Sequence, residues 1–390
     1  MEFQMEQSNL TVNLTGRIQS TNADQVCAEI ESVMDGNPHE TMTLDADGLE
    51  YISSAGLRVI LKIRKREPSL KLINVNAEVY DVFEMTGFTE MMPIEKAYRR
   101  FSVEGCEVIG QGANGKVYRL DEDTIIKVYM NPDSLPDIQR ERELARKAFI
   151  LGIPTAIPYD VVKVGEGYGS VFELLSAKSF AKLLKAEPEH LDQYMELYVD
   201  LLKKLHSTEL KPGDVPDMKK TALNWTEFLQ PYLPAEQYEK LYSMVAAVPE
   251  RNTMMHGDYH IKNVMMQNGE VLLIDMDTLC MGHPVFELAS IYLAYCGYSE
   301  NDPSMQEKFY GISSEMTHQI WDKTVRLYFG TDDEEKLREY AEKAMVVGYI
   351  RMMRRTIRRN GFETEQGRKD IETCKRHFDD LLTRVKNLDF

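Results

Sequence analysis

The sequence predicts two folded parts, a small α/β domain followed by a two-lobed α+β part. Residues 1–98 alternate strand-like runs with helical patterns, which favours a sheet packed against helices. Residues 99–176 carry strand-like runs broken by glycine turns and indicate a small lobe of antiparallel strands. Residues 177–390 are mostly helical apart from residues 254–278, and therefore predict a larger helical lobe that begins near Glu173–Lys178.

The overall composition is that of a folded protein without a general affinity for polyanions. The length of 390 residues suits two or three domains, each with its own core. A net charge of -17 argues against nucleic acid or an anionic membrane as a partner, because such binding depends on a basic surface. The five scattered cysteines predict free thiols, and no apolar run is long enough to cross a bilayer, so we expect a cytoplasmic protein.

The first domain contains motifs of a known regulatory module. DADGLEYISSAGLRVIL and VYDVFEMTGF resemble the STAS domain, known from anti-sigma-factor antagonists. The resemblance implies a protein partner for this domain. It also implies a regulatory phosphorylation at Ser54, which matches the modified serine or threonine of that family.

The residues around Ser54 leave its role open. It precedes the helical run AGLRVILKI, where free backbone N–H groups favour a phosphate. The alternative is that Ser53 or Ser54 caps this helix, a frequent role of serine. The sequence also departs from the antagonists, since Ser53 stands where they usually carry aspartate and Ala55 where a second hydroxyl is common.

The β-rich lobe opens with three glycines, Gly110, Gly112 and Gly115, in the segment GQGANGKVY. Such glycines let backbone N–H groups approach phosphate oxygens closely, although glycine turns in hairpins are also common. Lys127 follows in the apolar strand TIIKVY. If this lysine points inward it needs a partner, because an unpaired buried cation is costly. The alternative is a lysine on the solvent face of the strand.

The next helix, IQRERELARKAF, offers Glu141 or Glu143 as that partner. Packing of Ile138, Ala145 and Phe149 toward the sheet would turn Glu141 inward, so we prefer Glu141. The alternative is that both glutamates are solvated charges on the helix surface.

The segment HGDYHIKN, residues 256–263, is followed by the apolar run VLLIDMDT. Phosphoryl transfer needs a carboxylate that orients and deprotonates the attacking hydroxyl, and oxygen ligands for Mg²⁺. Asp258 suits the first role. Asn263 and Asp275 suit the second, because a turn between the two strand-like runs would bring them together.

Together, GQGANG, Lys127, HGDYHIKN and LLIDMD resemble the aminoglycoside phosphotransferase family, relatives of choline kinase and of protein kinases, from Phe101 to Phe390. The resemblance implies a two-lobed, protein-kinase-like fold. It implies ATP as the phosphoryl donor, with GTP as the alternative nucleotide, and Mg²⁺ as the metal. It also implies an adenine-binding hinge at Phe172–Leu175, which includes Glu173 and Leu175.

The same resemblance assigns roles to individual side chains. Asp258 is implied as the catalytic base, Asn263 and Asp275 as magnesium ligands, and Lys127 as the residue that holds the α- and β-phosphates. His256 would be structural and would support the segment 256–263, called the catalytic loop from here on.

His260 and Asp277 are further candidates near the site. Asp277 either contacts a second metal ion or caps a turn. The sequence leaves the role of His260 open.

The acceptor is expected to be a hydroxyl of a small molecule. Only a short connection separates Asp275 from the HPVFELA segment that contains Pro284 and Glu287. It leaves no room for the long activation segment on which protein kinases dock peptides.

A stripe of arginines follows Ser290, in the region that builds the acceptor pocket in the resembled family. It recurs at helical spacing in YIRMMRRTIRRN and consists of Arg351, Arg354, Arg355, Arg358 and Arg359. In so acidic a protein we favour pairing with acidic side chains. The alternative is an anionic group of the substrate, for which Arg355 is the candidate.

Three functions follow from these patterns. The leading one is an ATP- and Mg²⁺-dependent phosphotransferase acting on a small alcohol, with a STAS-like regulatory or docking domain. The second is a protein kinase whose acceptor is a serine such as Ser54 in the same or a neighbouring chain. The third is a nucleotide-binding scaffold without activity. The sequence argues against it, because such a scaffold has no chemical need for the whole set of Lys127, Asp258, Asn263 and Asp275.

Overall fold

A computed structural model describes residues 1–6, 8–111, 115–131 and 133–390, so Gly112 lies outside the described residues. The chain divides into two compact units, residues 1–102 with 161–166, and residues 103–160 with 167–390. All five cysteines are free. Across the described ranges, no helix is both long and apolar enough to cross a membrane.

The first unit consists of a sheet and four helices. Its elements are β1 (Phe3–Glu6), β2 (Asn9–Ile18), α1 (Ala23–Gly36), β3 (Thr41–Ile52), α2 (Ser54–Arg66), β4 (Lys71–Val75), α3 (Ala77–Met85), α4 (Phe88–Met91), β5 (Ile94–Lys96) and β6 (Arg100–Phe101). The first five strands form one sheet in chain order, antiparallel between β1 and β2 and parallel from β2 to β5. The short β6 pairs in parallel with Lys163–Val164 of the same unit.

Local sequence explains these elements. In β2 every second residue, Leu10, Val12 and Leu14, is buried, as the two-residue period of a half-buried strand requires. Helix α2 is capped by Ser53, whose Oγ accepts a hydrogen bond from the Gly56 amide at 3.3 Å. This bond satisfies one of the free donors at the helix start.

The second unit begins with antiparallel strands and one helix. These are β7 (Val108–Gln111), β8 (Gly115–Arg119), β9 (Thr124–Tyr129), α5 (Leu135–Ile150), β10 (Pro158–Val164), whose second half belongs to the first unit, and β11 (Gly167–Glu173). Strand β8 pairs with β7 and β9, and β9 pairs with β11.

Helix α5 buries a stripe that passes through Ile138, Glu141, Ala145 and Ala148. The expectation that Phe149 packs toward the sheet is wrong, because Phe149 is 46% exposed. It lies at the edge of a stripe that is centred on Glu141.

The rest of the second unit is mainly helical. Its elements are β12 (Lys178–Ser179), α6 (Phe180–Ala186), α7 (Leu191–Ser207), α8 (Met218–Leu229), α9 (Ala235–Ala246), β13 (Met254–Met255), β14 (Val264–Gln267), β15 (Glu270–Leu273), β16 (Cys280–Met281), α10 (Val285–Tyr295), α11 (Ser304–Tyr310), α12 (Ser314–Phe329), α13 (Glu334–Arg358) and α14 (Glu365–Arg384). Helix α10 is buried in all but one residue and packs on α13. The loop 256–263 contacts both helices.

Candidate active site

The loop that contains Asp258 starts directly after β13, which pairs with β16 and so fixes the start of the loop. Gly257 has a φ of +84°, and a Cβ there would lie 2.4 Å from the backbone oxygen of Thr278. Both the backbone angle and the close approach exclude a side chain, so this position requires glycine.

The Asp258 carboxylate is half-exposed and lies 3.5 Å from Nε2 of His260. Partial burial would raise its pKa, but the hydrogen bond to His260 and the positive charge of Arg351 lower the pKa to about 2. The carboxylate is therefore ionised at neutral pH, the form that accepts a proton from a hydroxyl.

His260 is held mainly by packing. Its ring meets Phe309 and Tyr310 edge-on, with centroid distances of 5.8 and 5.7 Å. Its buried Nδ1 has no hydrogen-bond partner in the described part of the chain. His260 is a predicted candidate near the site, and the structure places it beside Asp258 with Nε2 toward the carboxylate.

Asn263 and Asp275 flank a hairpin formed by β14 and β15. The turn between the strands is Asn268–Gly269, both at positive φ, which is typical of two-residue hairpin loops. The Ile274 amide donates to the Asn263 backbone oxygen at 3.0 Å. The predicted turn therefore brings the two candidate metal ligands to the same end of the hairpin.

The oxygen atoms of these two residues fit a magnesium ion. The Asn263 side-chain amide donates to the backbone oxygen of Asp258 at 3.0 Å, which leaves its side-chain oxygen as a ligand. Asp275 adopts a left-handed backbone, φ 64° and ψ 57°, which is sparsely populated for residues other than glycine and is often found at functional sites. Within the described ranges, no group of three or more His, Cys, Asp or Glu side chains could hold a metal. Two protein oxygens combined with nucleotide phosphates and water are nevertheless the usual environment of Mg²⁺.

Lys127 lies between two carboxylates. Its ammonium donates to Glu141 at 2.8 Å and to Asp275 at 2.9 Å. Burial would lower the pKa of Lys127, but the charges of Asp275 and Glu141 raise it well above its ordinary value. The structure thus selects Glu141 over Glu143 as the partner and places the lysine inward. The Tyr129 hydroxyl also donates to Glu141.

Asp277 lies inside a single 3₁₀ turn, Met276–Thr278, and within the described residues it caps nothing. Burial, followed by the charges of Asp275 and Glu141, raises the pKa of Asp277 to about 7. Its side chain lines a cavity of about 400 Å³ beside Glu141 and Tyr129.

His256 is fully buried and holds the catalytic loop to the hairpin. Its Nδ1 accepts from the Asp258 amide at 3.2 Å, while Nε2 lies 3.0 Å from the backbone oxygen of Ile274, to which it must donate. Burial lowers the pKa of His256, which keeps the ring neutral in this tautomer. The predicted structural role agrees with these contacts.

Glu287 of α10 holds the start of the loop 256–263, although its sequence pattern had not marked it as a candidate site residue. Its carboxylate accepts from the amides of His256 at 2.5 Å and Gly257 at 3.0 Å. Burial raises the pKa of Glu287 to about 7 despite these hydrogen bonds. A single charge in the otherwise apolar helix VFELASIYLAY is the signal that could have revealed it.

The glycine segment is weaker evidence for a phosphate-binding site than expected. Gly115 is buried, and a Cβ there would meet the Val128 oxygen at 2.3 Å, so the pairing of β8 with β9 already requires this glycine. A Cβ at Gly110 would make only ordinary contacts with Val117.

At the predicted hinge, the Glu173 amide donates to Ile157 at 3.0 Å. Leu175 is half-buried, and its role in an adenine-binding hinge stays a prediction.

The arginine stripe lies on α13, next to the catalytic loop. Arg351 donates to the Gly257 oxygen at 3.1 Å and to Ser290 Oγ at 2.6 Å. In the part of the chain that the structure describes, none of the five arginines forms an ion pair with a carboxylate. The favoured expectation of acidic partners is therefore wrong. Arg358 and Arg359 are exposed. Arg351, Arg354 and Arg355 contact the loop or aromatic rings instead. Arg355, for example, lies over the ring of Tyr298.

In the first unit, Ser53 is the N-cap of α2, so Ser54 is left as an exposed residue of the first turn. The hydrogen bond from Gly56 thus assigns the capping role to Ser53 alone. The phosphorylation that the STAS resemblance implies at Ser54 is not tested by these contacts.

Comparison with known proteins covers both parts of the chain. The phosphotransferase enzyme family matches residues 105–316 and the STAS domain matches residues 1–100. Over 85 residues the chain is 38% identical to BtrV of Bordetella bronchiseptica, described as an anti-sigma factor antagonist, covering 21% of this chain and 72% of that protein. It is 26% identical over 98 residues to the anti-sigma F factor antagonist of Paenibacillus polymyxa, covering 24% of this chain and 84% of that one.

Solved structures resemble this chain over most of its length. A thermostable mutant of aminoglycoside phosphotransferase APH(4)-Ia, in its apo form, has a TM-score of 0.50 at 12% identity, covering 72% of this chain and 97% of that one. A ternary complex of this enzyme with AMP-PNP and hygromycin B has a TM-score of 0.50 at 13% identity, covering 72% and 93%. The predicted fold class, a STAS-like α/β domain before a protein-kinase-like fold, is therefore confirmed. This chain belongs to the phosphotransferase enzyme family and carries an N-terminal STAS domain.

Proposed function

We propose that this protein transfers the γ-phosphoryl group of ATP, in the presence of Mg²⁺, to a hydroxyl of a small molecule. The observation that carries the proposal is the convergence of Lys127, Asp258, Asn263 and Asp275, with the lysine bound to Asp275 at 2.9 Å and Asn263 bound to the backbone of Asp258 at 3.0 Å. Membership of the phosphotransferase enzyme family supports the reaction class.

In this proposal each side chain has one task. Asp258 accepts the hydroxyl proton and orients the attacking oxygen, for which its low pKa of about 2 keeps it ionised. Lys127 neutralises phosphate charge, and Glu141 keeps its ammonium in position. Asn263 and Asp275 would hold Mg²⁺, which would neutralise the phosphate chain when bound.

The loop that contains Asp258 is held in place by several hydrogen bonds. Glu287 holds the amides of His256 and Gly257, while Thr278 Oγ donates to the His256 backbone oxygen at 2.7 Å. A preorganised site of this kind requires little reorganisation free energy during the reaction.

A small acceptor is supported by the short path from Asp275 to α10. That path contains only a 3₁₀ turn and the two-residue strand β16, and β16 is paired with β13. It offers no extended segment on which a peptide could dock.

The first domain is proposed to dock a protein partner. The support is its 38% identity to a protein described as an anti-sigma factor antagonist. This role does not depend on the identity of the acceptor.

The test is incubation with ATP labelled at the γ-phosphate, Mg²⁺ and a broad panel of small alcohols that includes aminoglycosides. Transfer of label to a small molecule supports the proposal. Label on Ser54 instead, located by mass spectrometry, would establish the protein-kinase alternative. Absence of any ATP consumption across the panel would favour the inactive scaffold.

A further inference from the structure

The C-terminal half of α13 presents positive charge beside the proposed catalytic base. Arg351 contacts the oxygen of Gly257, the residue immediately before Asp258, at 3.1 Å. Arg354 and Arg355 follow three and four positions later, so they lie on the same face of the helix, about 5–6 Å further on. Arg358 continues that face by one more turn.

Arg351 already has an internal task. Its guanidinium binds both the Gly257 oxygen and Ser290 Oγ, so it positions the catalytic loop. Arg354 and Arg355 differ from it, because their described contacts are with aromatic rings.

Those rings leave the guanidinium groups free to bind a ligand. Arg354 lies 6.0 Å from the ring centre of Trp225 and 5.8 Å from that of Phe228. Arg355 lies 4.9 Å from the ring centre of Tyr298. Stacking on aromatic faces restricts a guanidinium while its N–H donors remain available for a planar or tetrahedral anion.

The positive charges of Arg354 and Arg355 are not neutralised by acidic side chains in the described part of the protein. Neither arginine forms an ion pair within the described residues, although the chain carries 63 acidic residues. The buried Nε of Arg354 has no hydrogen-bond partner there. Burial, and then the charge of Arg358, lower the pKa of Arg354, so this guanidinium lacks a compensating negative charge among the described residues.

We propose that the acceptor alcohol carries an anionic group, a phosphate or a carboxylate, that binds to Arg354 and Arg355. The inference rests on the proposed function and narrows its substrate class. Two adjacent arginines bind such groups by charge-assisted and often bidentate hydrogen bonds. The same charges repel a polycationic acceptor, so an aminoglycoside would be disfavoured.

The first experiment measures binding without turnover. Titration calorimetry with inorganic phosphate is performed on the full-length protein saturated with AMP-PNP and Mg²⁺, at constant ionic strength. We expect the double variant Arg354→Gln/Arg355→Gln to lose about tenfold or more in phosphate affinity. The control Arg338→Gln, on the same helix about 24 Å away, should stay within about twofold.

Charge-preserving variants separate specific recognition from loss of folding. Arg354→Lys/Arg355→Lys should regain part of the affinity, because charge is kept while the guanidinium fork is lost. Circular dichroism confirms that each variant is folded. Equal phosphate affinity in the wild type and the double glutamine variant would overturn the inference.

The second experiment measures turnover with matched acceptors. Glycerol is compared with glycerol 3-phosphate and with glycerate, and glucose with glucose 6-phosphate, with kanamycin as the cationic acceptor. The inference requires a higher kcat/KM for the anionic member of a pair, reduced mainly through KM in the double glutamine variant. Faster turnover of neutral or cationic alcohols would reject the inference but keep the proposed function. If no acceptor is phosphorylated, the proposed function fails, and phosphate binding still decides whether the arginines form an anion site.

Discussion

Lys127 and Asp275 lie 148 residues apart in the chain and are joined by an ion pair of 2.9 Å. The same ammonium binds Glu141, whose side chain is only 5% exposed. One lysine therefore connects strand β9, helix α5 and the segment after β15. This arrangement makes the lysine important for stability, in addition to the role in nucleotide binding that we propose for it.

Replacing Lys127 with methionine should lower the free energy of unfolding of the second unit by about 2–4 kcal/mol, because Glu141 would remain buried without its cation. Urea unfolding at pH 7 measures the change. Lys116→Met on neighbouring strand β8, where the lysine is exposed, should cost less than about 0.5 kcal/mol. Adding Glu141→Gln should recover part of the loss, and a double variant no more stable than Lys127→Met would contradict the explanation.

Replacing Asp258 with asparagine should reduce kcat by about 10²–10⁴-fold, since the side chain keeps its size but can no longer accept a proton. Affinity for ADP should change by less than about twofold, because Asp258 is not proposed to contact the nucleotide. Initial rates and calorimetry provide the two measurements. Undiminished ATP consumption in this variant would remove Asp258 from the mechanism.

Gly257 and Gly269 provide a matched pair, since their φ angles are +84° and +85°. At Gly269 nothing lies within 4 Å of an added Cβ, whereas at Gly257 the Thr278 oxygen would lie at 2.4 Å. Gly269→Ala should therefore cost about 1 kcal/mol, the strain of the backbone alone. Gly257→Ala should cost about 2–4 kcal/mol and also reduce kcat. Equal losses of unfolding free energy would show that the catalytic loop can move away from Thr278.

Glu287 predicts a pH dependence of stability. Its folded-state pKa of about 7 is above the ordinary value of 4.5, so the native state binds an extra proton between these two values. The contribution of this group is fully present below pH 4.5 and is lost as the pH rises through 7, with a slope of at most about -1.4 kcal/mol per pH unit. Glu287→Gln should remove this component, so unfolding free energies of both proteins between pH 5 and 8 should diverge in slope. Parallel curves would mean that Glu287 is ionised throughout.

Ser53 and Ser54 should respond differently to substitution. Ser53→Ala removes the hydrogen bond from Gly56 and should cost about 1 kcal/mol of unfolding free energy. The exposed Ser54→Ala should change stability by less than about 0.5 kcal/mol. If Ser54 is phosphorylated, only Ser54→Ala abolishes the modified peptide in mass spectrometry, while Ser53→Ala retains it.

Much of this architecture could be predicted because the decisive signals are local. The turn Asn268–Gly269 fixes the hairpin that joins Asn263 to Asp275, and helical periodicity distinguishes Glu141 from Glu143. Glycine patterns were less informative, since Gly115 is required by strand packing whether or not a phosphate is bound.

The expectations that were wrong, and the residue that was missed, concern features that depend on tertiary packing. The exposure of Phe149 depends on which parts of the fold cover that face of α5. The lack of an acidic partner for Arg354 among the described residues depends on which side chains other helices bring to it. The hydrogen bonds of Glu287 to loop 256–257 link residues about 30 positions apart, which no local period encodes.

The short path from Asp275 to α10 also has a physiological consequence. Many kinases are silent until a long flexible segment is rearranged, but here the equivalent stretch is tied down by the pairing of β13 with β16. If the chain acts as proposed, it would need no such rearrangement before turnover, and its rate would follow the supply of its two substrates. We propose the N-terminal STAS domain as the candidate for any further control, because it is similar to a protein described as an anti-sigma factor antagonist.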